Sequence, residues 1–340
     1  MSSVFSRSCL ISLSAYALQS DYPLLFRSAA YTMSMFYSFL SCIFIEQRRY
    51  PMNYILMTDS DSDLPFDLKQ KYDIPVVYMP YALNGKEYYD DLGQTLDSKA
   101  YFKAMRDGAA PVTAALNEAD YLNYFEPILK EKDLLFIAFS SKLSSTIQAA
   151  ESAQKKLLAK YPERRFEIFD TLSISAPQTL LLLNAHKLYR NGASMDEVLD
   201  WLKKNQQRAQ AFFAVDDLKY LKRGGRISPT AAAVGNMLDL KPIITETKDG
   251  TLSNIGKVRG RRKAITFILD RVEENLMDPT ESIAIILHAD CPDDAALLKQ
   301  EMLQRHPEME IRIDNVGPVI GAHCGPGTLA FSFMGRERQY

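Results

Sequence analysis

The chain has 340 residues, 47% hydrophobic and 24% charged, with 40 basic against 42 acidic side chains and a formal net charge of −2. That is globular composition, long enough for about two domains. The balanced charge gives no electrostatic reason to expect nucleic acid as a partner, because phosphate backbones recruit strongly basic faces. Cys9, Cys42, Cys291 and Cys324 form no CxxC pair, and they read as free thiols of a reducing, cytoplasmic compartment.

Residues 1–51 are rich in Ser, Tyr, Phe and Leu, hold only two acids (Asp21 and Glu46), and show no steady period. Their most apolar stretch, Tyr31–Ile45, is broken by Thr32, Ser34, Ser38 and Ser41. It falls short of the roughly 20 residues a membrane-spanning helix needs. Basic residues do not lead the stretch and no small-residue cleavage site follows it, so it does not read as a signal peptide. The leader is expected to be extraneous or disordered, with Met52 as the true start; an interfacial anchor is the alternative.

Tyr54–Thr58 reads as a first strand, closed by a turn-like acidic stretch. Pro75–Leu83 is β-rich, and Asn84-Gly85 predicts a two-residue hairpin into Glu87–Tyr89. Leu96–Arg106 and Glu118–Lys130 have helical spacing, with Asn117 capping the second. Asp133–Phe139 is apolar from Leu134 onward, as a strand buried on both faces of a parallel sheet must be. A serine-rich loop, a helix over Thr146–Lys160, a strand at Phe166–Phe169 and helices over Ala176–Arg190 and Met195–Asn205 complete an alternating β-α pattern.

Beyond about residue 208 the character changes. Ala211–Val215 is a strand, and Lys241–Glu246 and Leu252–Lys257 flank the turn signal Asp249-Gly250. Gly260–Asn275 and Asp293–Gln304 are helical, and Ser282–Leu287 and Glu310–Ile313 are strands. The expectation is an α/β chain: a layered α/β domain with a largely parallel sheet over 52–207, then an α+β domain with a mixed, largely antiparallel sheet over 208–340.

Four segments could carry chemistry. Thr58-Asp59-Ser60-Asp61-Ser62-Asp63-Leu64-Pro65 follows the first strand. As an EF-hand it fails, with Leu64 at the sixth position and Gln70 at the twelfth. A metal-dependent phosphatase using Asp59 and Asp61 is a rival reading, since a strand-end Asp can be a nucleophile. The plain reading is a capped turn in which Asp and Ser side chains bond loop amides. The second segment, Ser140-Ser141-Lys142-Leu143-Ser144-Ser145-Thr146, joins a buried strand to a helix N-terminus, where open sheets place ligands and free amides favour anions. Its hydroxyls can donate to a carboxylate without adding buried charge; the plain alternative is a serine N-cap.

The third, Arg223-Gly224-Gly225-Arg226-Ile227-Ser228-Pro229, suits a phosphate or an acidic partner surface. It also reads as a helix C-cap, with Gly224 at positive φ, followed by a Ser228–Pro229 N-cap. The fourth sets His323 among glycines in Gly321-Ala322-His323-Cys324-Gly325-Pro326-Gly327, where the backbone can approach a ligand. No GxSxG, Walker A or GxGxxG motif occurs, which removes the main support for hydrolase, NTPase and dinucleotide readings.

In order, these segments resemble the DegV family of bacterial fatty-acid-binding proteins. The family pattern runs T-D-S-T-x-D-L-P, T-S-Q-P-S, S-S-x-L-S-G-T, R-x-G-R-I and H-x-G-P-G. The counterparts here are Thr58–Pro65, the segment from Thr113 to Asn117, Ser140–Thr146, Arg223–Ile227 and His323–Gly327, spanning Met52 to about Gly335. The resemblance implies an acyl chain buried between two domains and no resident cofactor or metal. It implies a carboxylate on Thr113, Ser141, Ser144, Ser145 and His323, with Arg223 and Arg226 at the headgroup or facing a partner, and Thr58, Asp59 and Ser60 as the N-terminal motif. It further implies a carrier, not a catalyst, that presents the fatty acid to a separate ATP-dependent fatty acid kinase. The sequence departs from the pattern at Ala114, Ala115, Leu116 and Asn117, at Ser145 where Gly is usual, and at Asp61 where Thr is usual. Another lipid anion on the same fold stays open, because fold does not fix ligand.

Overall fold

A computed structural model describes residues 53–227 and 239–340. The leader and the Ser228–Pro229 cap lie outside the described residues. Asn53–Tyr340 forms one compact unit.

Its first sheet has the order β2-β1-β6-β7, all parallel: β1 Tyr54–Asp59, β2 Val76–Val77, β6 Asp133–Ala138 and β7 Phe166–Asp170. Strand β6 is buried from Leu134 onward, which is why its sequence is apolar without alternation. Helices α3 (Glu118–Leu129) and α4 (Thr146–Lys160) pack on this sheet. Asn117 caps α3 in a full capping box with Asp120.

The segment expected as one β-rich run, Pro75–Leu83, divides into β2 and β3 (Pro80–Leu83). Strand β3 leaves the parallel sheet and forms a small antiparallel sheet of order β4-β3-β5, with β4 at Lys86–Tyr89 and β5 at Val112–Thr113. Asn84 (φ 53°) and Gly85 (φ 78°) make the β3–β4 turn with both central residues left-handed, as the Asn-Gly pair predicts. Pairing Tyr81 with Thr113 fixes where the Thr113 side chain projects.

Helices α5 (Ser175–Arg190) and α6 (Met195–Asn205) lead into the second large sheet, of order β10-β9-β8-β13-β11-β12. Its strands are β8 Ala209–Ala214, β9 Leu240–Glu246, β10 Leu252–Arg259, β11 Ala284–His288, β12 Ile311–Asn315 and β13 Leu329–Met334. All pairs are antiparallel except β11–β12. One face packs against α8 (Arg261–Asn275) and α9 (Pro292–Arg305) in a core that includes Phe212, Ala214, Phe331 and Phe333.

Because side chains alternate along a strand, the neighbours Ala211, Phe213, Ala330 and Ser332 turn to the opposite face. That face lines a cavity. The C-terminal Arg338 is buried and ties the two sheet systems together, donating to the carbonyls of Leu172 (2.6 Å), Ala209 (3.0 Å) and Thr247 (3.2 Å).

Candidate functional site

The cavity, mouth included, spans about 1110 Å³ of empty space. Its wall is mainly apolar. Polar side chains gather from separate elements: Thr113 of β5, Ser144 and Ser145 before α4, Arg226, His323 and Asp61. The small residues Ala211, Ala330 and Ser332 lie on the second sheet's inner face, and their short side chains leave the space open.

The serine loop is placed by strand β6 ending against α4. Ser140 does not reach the cavity; its Oγ donates to Gly250 O (2.7 Å). Ser141 also stays outside, its N–H donating to Asp170 (3.2 Å). Ser145 is the N-cap residue of α4 yet makes no side-chain cap bond, and Ser144 Oγ makes only a long contact from Thr146 N (3.3 Å). These two hydroxyls are not consumed by capping and line the cavity.

His323 stands near the end of a short helix, α10 (Pro318–Cys324), where the glycines had suggested open backbone. Its Nε2 lies 2.9 Å from Thr113 Oγ1. Its Nδ1 is buried, has no partner among the described residues, and faces Gly224 so closely that any Cβ there would overlap the ring. Gly224 is therefore required by close approach, at an ordinary φ of −72°. The positive φ expected at Gly224 falls instead on Gly225 (φ 72°), which carries the turn after helix α7 (Lys219–Arg223).

The partnerless Nδ1 assigns the tautomer. A buried N–H without an acceptor costs more than an unused lone pair, so the proton belongs on Nε2, donated to Thr113. The threonine hydroxyl then keeps its own proton free to donate into the cavity. Burial, with Arg226 and Arg223 nearby, pushes the His323 pKa down to about 4, so the ring is neutral at pH 7. Arg226 is the permanent cation on the described wall; its Nε donates to Leu143 O (3.0 Å) and it also donates to Gly224 O.

The remaining predicted residues lie elsewhere. Arg223 is exposed, its guanidinium 5.4 Å from the Tyr220 ring centroid. Thr58 is fully buried, donating to Ile137 O (2.9 Å) and accepting from Gln178 (3.1 Å). Asp59 accepts from Phe139 N (2.9 Å) with one oxygen and from Gln178 (3.0 Å) with the other; burial raises its pKa to about 6 against those bonds. Ser60 accepts from Met79 N (3.0 Å) and lines a second, smaller cavity. The acidic segment thus largely bonds loop amides, and only Asp61 reaches the main cavity. Among the described residues no group of three or more His, Cys, Asp or Glu is placed to hold a metal ion, and no helix is long and apolar enough to cross a membrane.

Comparison with known proteins bears on this geometry. The family model described as "Uncharacterised protein, DegV family" matches residues 54–336. A DegV domain-containing protein of Clostridium perfringens is 36% identical over 287 residues, covering 84% of this chain and 99% of the relative. One of Lactococcus lactis is 33% identical over 292 residues, covering 85% and 100%. Among solved structures, a DegV family protein of Thermus thermophilus described for its fatty acid binding superposes with a TM-score of 0.74 at 32% identity, covering 84% of this chain and all of that one. DegV of Bacillus subtilis, described as a fatty acid binding protein, gives 0.72 at 26% identity, with coverage of 84% and 100%. The layered parallel sheet, the mixed second sheet and these matches lead to one conclusion: the chain belongs to the DegV family.

Proposed function

We propose that this protein binds a long-chain fatty acid, with the acyl chain in the cavity and the carboxylate on Thr113, Ser144, Ser145 and Arg226, and that His323 orients the threonine hydroxyl. The observation that carries the reading is the polarity of the main cavity. Among the described residues, hydroxyl donors and one cation, Arg226, lie on its wall together with an apolar remainder floored by small residues. Each buried methylene contributes about 0.8 kcal/mol, so the tail supplies most of the affinity and the donors set orientation. Ser141, expected at the carboxylate, is left out because it lines no part of this cavity.

The fatty acid binding described for the T. thermophilus and B. subtilis relatives supports the same assignment. In this reading the protein is a cytoplasmic carrier without catalytic residues that presents its ligand to an ATP-dependent fatty acid kinase, with exposed Arg223 suited to contact that partner. The phosphatase alternative finds less support, because both carboxylate oxygens of Asp59 are already held by protein donors. Denaturing extraction of purified protein followed by mass spectrometry tests the reading: about one fatty acid per chain is expected. Its absence, together with phosphatase activity lost in Asp59→Asn, overturns it.

A further inference from the structure

The cavity wall holds a carboxyl group that carboxylate binding does not explain. Asp61 sits in the turn of 3₁₀ helix Ser60–Ser62 and is 4% exposed. Its Oδ1 is buried with no hydrogen-bond partner among the described residues, and the side chain lines the main cavity. Where the family pattern has a threonine, whose hydroxyl would donate to a carboxylate, this chain has a group that donates only when protonated.

We propose that Asp61 is a specificity-determining residue of the headgroup site, sharing one proton with the carboxyl of the bound acyl ligand. The proposal rests on the fatty-acid reading above. Two carboxyl groups brought together in one mainly apolar cavity disfavour each other's ionisation, and the pair keeps a single proton between them, which comes from solvent or is already on Asp61. The charges around Asp61 favour this arrangement. Burial raises its pKa most, then Asp59 and Asp63 of its own segment and Asp90 after β4; Arg226 opposes them. Tyr121 of α3 faces the same acids. Helix α5 packs against this turn with the neutral Ser175 and Gln178, and α10 brings the neutral His323 to the cavity wall. Among the described residues one cation therefore faces several acids, so a second full negative charge from the ligand goes unbalanced unless a proton accompanies it.

The consequence is selectivity for headgroups that can enter a proton-sharing pair, and weaker binding as pH rises. Infrared difference spectroscopy on the palmitate complex at neutral pH tests it, using palmitate labelled with heavy carbon at its carboxyl and comparing wild type with Asp61→Asn and Asp61→Thr. Loss of one protonated-carboxyl band in both variants is expected, either an Asp61 band or, if the label shifts it, the ligand's own. In a parallel titration, wild-type affinity should weaken by up to about tenfold per pH unit in alkaline solution while both variants stay flat over the same range. The idea is overturned if both variants hold palmitate and the carboxyl bands match wild type. Failure of the wild type and both variants to retain palmitate is a separate result that overturns the fatty-acid reading itself.

Discussion

Replacing Thr113 by Val removes one hydroxyl and keeps the shape of the side chain, which makes it the sharpest probe of the headgroup site. Thr113 is held by the two-residue strand β5 through its pairing with Tyr81, and its Oγ1 bonds His323 at 2.9 Å. A hydrogen bond to a charged acceptor contributes about 1.5–3 kcal/mol, which corresponds to a dissociation constant about 10–150-fold weaker. The change also leaves the His323 Nε2–H without an acceptor, at a cost of about 1–3 kcal/mol to the fold. The two effects separate in the assay. Displacement of a fluorescent fatty-acid analogue reads affinity, and thermal unfolding of ligand-free protein reads stability. Thr113→Ser restores the hydroxyl and should recover both, and adding Ser144→Ala to Thr113→Val should weaken binding further without unfolding the protein. Wild-type affinity in a folded Thr113→Val protein refutes the assigned carboxylate site. Equal losses in the Val and Ser variants would mean that backbone placement matters and the hydroxyl does not.

Three further outcomes are expected. Ala211→Leu projects three more carbons from the inner face of β8 into the cavity; a chain-length series of fatty acids should show affinity falling selectively for the longest chains, and a uniform loss would mean the tail runs elsewhere. Gly224→Ala drives a methyl into the His323 ring, so displacement titration should show a loss comparable to that of Thr113→Val although no cavity-lining atom is removed; unchanged binding would sink the role given to His323. Burial and the nearby Asp314 raise the Asp63 pKa from 3.8 to about 7, against the opposing bonds from Ser175 and Gly317. Between those values the folded state holds the extra proton, so this contribution is present below about pH 4 and is lost as pH rises through 7, by up to about 1.4 kcal/mol per pH unit. Urea unfolding of Asp63→Asn across that window should show a shallower decline than wild type; parallel curves would refute the buried, proton-holding carboxyl.

Periodicity and turn chemistry make most of the fold legible in the sequence. Continuous apolarity in Asp133–Ala138 marked a parallel strand, and Asn84-Gly85 and Asp249-Gly250 marked two hairpins that form as expected. Strand β13 is not among the sequence expectations although Phe331 and Phe333 alternate with Ala330 and Ser332, because the run is short and abuts a glycine-rich segment that disfavours regular structure. The same alternation, once seen, predicts the cavity floor: the large residues face the helices and the small ones face the ligand. Helix α10 was hidden by its glycines, which in isolation disfavour helix and are tolerated here because the segment packs against α7 and α2 (Ser98–Arg106).

What no local pattern could supply was which side of a residue faces the cavity. Ser141 and Ser144 are chemically the same residue in one loop, yet the first turns its N–H to Asp170 and only the second lines the wall. Thr58, Asp59 and Asp61 share one segment, but Gln178 of α5 occupies the first two and leaves only the third open. That partner lies 120 positions from Thr58, so the distinction depends on tertiary contact alone. The departure from the family pattern at Asp61 therefore falls on the one member of its segment that reaches the main cavity. A substitution at Asp59 would break its bonds to Phe139 N and Gln178 at the end of β1, whereas Asp61 can change the headgroup chemistry while the turn around it keeps its bonds.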